Sequence, residues 1–88
     1  MKARSFRKFT DRLAAIGLLE GVEKRAMGLH VTLQELYDGP GNSPSVATAR
    51  RAVYAWLMKQ GKGLNEVARL FDRAPSGVQR LTRGRNGA

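Results

Sequence analysis

Apolar residues recur along this chain at helical spacing and nowhere alternate as in a strand. Phe6, Phe9, Leu13 and Ile16 follow one another at intervals of three and four, while Arg7, Lys8, Asp11 and Arg12 fall elsewhere around the turn. That spacing predicts an amphipathic helix from Ser5 to Leu19, with Gly17 and Gly21 flanking its end and a second helical run through Val22, Ala26, Met27 and Leu29. Thr32 to Glu35 reads TLQE, a capping box whose hydroxyl and carboxylate each satisfy a free amide, and a short helix through Leu33, Leu36 and Tyr37 should follow.

The turn-rich stretch DGPGNSP, Asp38 to Pro44, is the clearest loop. Ser43 is a good N-cap and Pro44 suits a first helical position. The helix launched there carries Val46, Ala49, Val53, Trp56 and Leu57 on one face and should stop at Gly61. Trp56 on that face is expected to pack between helices, with Tyr54 off it. Val67, Ala68 and Phe71 mark a further helix from Leu64, and Glu66 near its start complements the helix dipole.

After Phe71 the chain turns through Asp72 to Ala74, and a last helix should begin at Pro75, where a proline loses no helical hydrogen bond. Val78 and Leu81 define its inward direction, leaving Ser76, Gln79, Arg80 and Arg83 outward at about 100° per residue. Ala74 is a poor N-cap and Gly77 has low helix propensity, so this helix start is expected to be loosely held and to tighten on a partner. The fold expected is all-α, about five helices ending in a helix-turn-helix. Residues 1–19 form an N-terminal basic helix, 20–83 the main domain and 84–88 a flexible tail.

Charge sharpens this picture. Lys and Arg number 16 against 7 acids, a formal charge of +9, which attracts polyanions and opposes self-association. An outward face with a hydroxyl, an amide and two guanidinium groups carries the donors and acceptors that read base edges and bind phosphate. Ser76, Gln79 and Arg80 are therefore the candidate base contacts in duplex DNA. Lys62, Gly63, Arg73, Arg83, Arg50 and Arg51 are the candidate phosphate contacts, Lys62 and Gly63 because amides and a cation ahead of a helix can clamp a phosphate.

Other chemistry is poorly provided for. With no cysteine and one histidine, the sequence shows no thiol nucleophile, metal-ligand cluster or catalytic triad, and His30 is expected at the surface. No GxxxxGK[ST] phosphate loop is present. No enzyme, cofactor or metal is expected. The run LAAIGLL, Leu13 to Leu19, imitates a secretory core, but Glu20 follows at once and it falls short of the roughly 20 residues a membrane span needs. A cytoplasmic, nucleoid-associated protein without a membrane partner is expected.

VTLQELY, SVATARRAVYAWLMKQ and GLNEVARLFDR occur in the order and spacing of three helices of a known family, apart from about one residue missing after Phe71. From about Glu20 to Arg83 the chain resembles the C-terminal DNA-binding domain of the bacterial replication initiator DnaA, whose fold is related to that of the Trp repressor. The resemblance implies a helix-turn-helix that binds duplex DNA. That family places an arginine-rich loop in the minor groove, whereas this loop reads PGNSPS with Asn42 and Pro44 in place of basic residues. Its recognition turn carries Arg-Asp-His-Thr-Thr; here Arg73 matches the arginine while Ala74, Pro75, Ser76 and Gly77 replace the rest.

The resemblance therefore implies the framework but not the initiator's target or its role in replication. DnaA-like domains also occur in transcription regulators, including activators of phage-like gene transfer agents, and this chain looks more like one of these. The alternatives are a binder linked to a replication origin and an adaptor that kept the fold and lost DNA. Further partners would be a second copy of the chain or a transcription or replication protein. For the segment carrying Lys2, Arg4, Arg7, Lys8 and Arg12, three roles stay open: a DNA-contacting arm, a dimerisation helix or an extra layer of the core.

Overall fold

A computed structural model of the chain describes residues 2–39 and 42–86, with side chains described between Phe6 and Thr82 of that range. Among the described residues six helices follow one another: α1 Lys2–Ala15, α2 Leu19–Gly28, α3 Leu33–Asp38, α4 Pro44–Lys59, α5 Leu64–Leu70 and α6 Pro75–Asn86. The fold is all-α, with no strand among the described residues. These six described helices stand against an expectation of about five.

The local signals act as chemistry requires. Thr32 Oγ1 accepts the Glu35 amide at 3.0 Å and Glu35 Oε1 accepts the Thr32 amide at 2.9 Å, closing the capping box of α3. Ser43 Oγ faces the Val46 amide at 3.5 Å and Pro44 opens α4. Gly61, in the left-handed region at φ 92°, stops α4, with the Lys62 amide bonded back to the Leu57 carbonyl.

The first helix is shorter than expected. It ends at Ala15, Gly17 reverses the chain at φ 74°, and the Leu18 amide bonds the Leu13 carbonyl at 2.9 Å. Leu19 accordingly starts α2 rather than finishing α1. Ile16, expected on the buried face, lies beyond the last turn and is 37% exposed.

The same backbone pattern ends α2 and α5 without a glycine. His30 at φ 60° and Asp72 at φ 54° take the left-handed position, with the Val31 amide on the Ala26 carbonyl and the Arg73 amide on the Ala68 carbonyl. That conformation costs a residue with a Cβ about 1–2 kcal/mol. At Asp72 the side chain offsets this cost with partners, described below. His30 is exposed, as expected.

Phe9 and Leu13 are fully buried with Val22, Leu36, Val53, Leu57, Val67 and Val78, so α1 is a layer of the common core. Of the three roles open for the N-terminal segment, the structure shows the third. Phe9 stacks on Tyr37 at 4.8 Å between centroids and meets Phe71 at 4.9 Å, while Tyr54 meets Phe71 edge-on at 4.9 Å. Tyr54, off the expected apolar face, is 1% exposed. Trp56 packs between α4 and α2 as expected: its ring lies against Gly21, where any Cβ would collide with it. At the other end α6 continues to Asn86, into the segment expected as a tail from residue 84.

Candidate nucleic-acid interface

The last two helices meet at a corner built from residues 71–74. The carbonyls at the end of α5 have no partner within the helix. Arg12 of α1 supplies it, its Nη1 donating to the Arg69 carbonyl at 2.9 Å and the Leu70 carbonyl at 3.1 Å. The other guanidinium nitrogen, Nη2, pairs with the Asp72 carboxylate at 3.2 Å. The Tyr37 hydroxyl donates to the same carboxylate at 2.6 Å. Arg73 Nη2 then donates to the Tyr37 carbonyl at 2.9 Å.

Two elements thus grip the end of α5 and the corner after it: α1 through Arg12 and α3 through Tyr37. Burial pushes the Asp72 carboxyl up, but the hydrogen bonds from Tyr37 and Arg12 and the charges of Arg12 and Lys8 outweigh it and hold it below the usual carboxylate range.

From this corner α6 departs at Pro75. The Gly77 and Val78 amides both bond the Ala74 carbonyl, at 3.0 and 3.3 Å, so the first turn closes without help from the Ala74 methyl. Val78 is fully buried and Leu81 half-buried against the core, which turns Ser76, Gln79 and Arg80 to solvent. All three are exposed, and their side chains make no hydrogen bond or ion pair among the described residues. The Arg83 side chain lies outside the described residues.

The expected phosphate contacts separate into different kinds. Arg50 is 4% exposed, and its guanidinium donates to the carbonyls of Leu36 at 2.8 Å, Tyr37 at 3.4 Å and Gly39 at 2.7 Å. Those carbonyls close α3, so Arg50 binds a helix end instead of a phosphate, and that expectation is corrected. Burial, and then the neighbouring Arg73 charge, lower its pKa from the ordinary arginine value. Burial likewise raises the hydroxyl of Tyr54, against the opposing charges of Arg73 and Arg50.

Arg51 is half-buried and donates through Nε to the Leu81 carbonyl at 3.2 Å, tying α4 to α6. Lys62 Nζ lies 3.6 Å from the Glu66 carboxylate across one turn. Gly63, the N-cap of α5, is exposed and offers no side-chain cap. Arg73 is exposed at the corner even though one of its nitrogens is engaged. Gly63 and Arg73 therefore keep the most freedom to meet a phosphate.

The structure adds Asn65 and Arg69. Both are exposed on α5, and with Ala68, Arg73 and Pro75 they line an open depression of about 250 Å³ beside the start of α6. Their spacing of four residues, opposite Val67 and Phe71, was the available signal.

Among the described residues no group of three or more His, Asp or Glu could hold a metal ion, and no helix is long and apolar enough to cross a membrane. No protein-family model, curated protein or solved structure matches the chain.

Proposed function

We propose that this chain is a sequence-specific duplex-DNA-binding protein that regulates transcription, with α5 and α6 acting as a helix-turn-helix and α6 lying in the major groove. The observation that carries this reading is the row Ser76, Gln79 and Arg80: exposed, without side-chain partners among the described residues, and mounted on a helix whose first corner is held by α1 and α3. A groove about 12 Å wide admits one helix, and an arginine and a glutamine are suited to guanine and adenine edges respectively. Arg73 and Arg69 flank that row with positive charge, where phosphates would pass.

The order of a capped short helix, a proline-started long helix and a final close pair supports a DnaA-like relationship. The loop before α4 lacks the basic residues an initiator would use there, which favours a regulator with its own target over an origin binder.

Selection from random duplexes followed by titration at physiological salt tests the proposal. A recovered motif bound at least about 10³-fold more tightly than its scrambled version is expected. Affinity for every duplex no better than that of a scrambled basic peptide would make the domain a protein-binding adaptor instead.

A further inference from the structure

Beside the contact of Arg51 with α6, α4 and α2 border a second concave feature, an open groove of about 420 Å³. Thr48, Ala52 and Ala55 form its floor at spacings of four and three along α4. Its walls carry Arg25, Arg51, Lys59 and Trp56. Among the described residues three cations and no acid line it.

Trp56 and Arg25 give the groove its chemistry. The indole is seated against Gly21, and the Arg25 guanidinium lies 4.2 Å from the ring centroid, stacked on its face. A stacked guanidinium has lost much of its rotamer freedom before any ligand arrives and still presents its edge to a carboxylate. Lys59 is exposed one turn beyond the small-residue floor.

We propose that this groove is a docking site for an acidic amphipathic helix of a partner protein, its carboxylates on Arg25 and Lys59 and its apolar side chains on the alanines beside Trp56. The small floor lets a helix approach closely, and the indole supplies apolar surface that a purely ionic ligand would not use. Net charge disfavours a second copy, because a chain of +9 brings mostly cations to a cationic groove. Duplex DNA is a convex rod that needs protruding cations and gains nothing from an apolar floor. The proposal does not depend on α6 reading DNA.

Trp56 is the only tryptophan, so its emission reports occupancy directly. The probe is a blocked helical peptide with glutamates and leucines on adjoining faces, titrated into the full chain. Two control peptides replace its glutamates by glutamine or its leucines by serine.

The expected result is a saturable change in emission with the acidic amphipathic peptide, weakened at least about tenfold in both controls and in Arg25→Ala and Lys59→Ala. Ala52→Glu, an exposed floor position, should also abolish binding by like charge while keeping the wild-type melting midpoint and DNA affinity. Arg80→Ala should leave peptide binding unchanged, which separates this site from the α6 surface. No emission change, equal binding of either control peptide, or displacement of the peptide by duplex DNA with Arg25→Ala weakening the duplex equally would overturn the proposal.

Discussion

At the level of single residues, Asp72 and His30 share a backbone conformation but not a reason for it. His30 at φ 60° is exposed at the end of α2, so His30→Gly should remove strain and raise stability by about 0.5–1 kcal/mol after the glycine's larger unfolded-state entropy is counted. Asp72 at φ 54° instead holds Tyr37 and Arg12 with its carboxylate. Its folded pKa lies below the unfolded value of about 3.9, so its contribution to stability is present above that pH and is lost as pH falls through the folded value. Melting curves through the acid range should therefore show a stability loss that Asp72→Asn largely removes, because that variant has no carboxylate to protonate. Equal acid sensitivity in both proteins would show that the corner does not depend on this charge.

Arg50 and Arg80 make opposite predictions with the same side chain. Arg50→Ala takes the buried donor from the carbonyls of Leu36 and Gly39, while that of Tyr37 keeps Arg73, and should cost about 1–3 kcal/mol of stability while leaving the salt dependence of DNA binding unchanged below the melting range. Arg80→Ala, at an exposed position, should change stability by less than about 0.5 kcal/mol. Thermal melting read beside salt titrations separates the two roles.

At the scale of elements, what could be read in the sequence is what is local. Thr32 with Glu35, Ser43 with Pro44, Gly61 and Pro75 fix helix ends through groups a few residues apart, so their spacing was sufficient. The end of α1 was misplaced because Leu18 and Leu19 continue the apolar run through a reversal at Gly17, and composition alone cannot distinguish a turn from another helical turn there. Arg12, Tyr37 and Arg50 were beyond reach for a different reason. Their partners lie between 11 and 60 residues away along the chain, and no periodicity encodes a guanidinium bound to a distant carbonyl. The outward row on α6 was legible because burial of Val78 fixes the phase of the whole helix.

The role of α1 has its own test. Phe9 is fully buried against Tyr37 and Phe71, so Phe9→Ala should cost about 3–5 kcal/mol, a large share of the stability expected of so small a domain. Chemical denaturation measures it directly. A loss below about 1 kcal/mol would mean that α1 is an appendage rather than a layer of the core.

At the scale of the whole molecule, the helices hold one basic surface around α6 and a second, indole-lined groove between α2 and α4. A net charge of +9 draws the chain to any polyanion, so affinity for DNA alone would say little about α6. Discrimination between sequences says much more. The most direct measurement is the affinity of wild type and Arg80→Ala for a selected duplex and for its full set of single-position variants at fixed salt. Arg80→Ala should lose about 1–3 kcal/mol on the selected duplex and become indifferent to the base at one position, with preferences elsewhere kept. Unchanged affinity, or an equal loss on every duplex with all base preferences intact, would contradict the placement of α6 in the major groove.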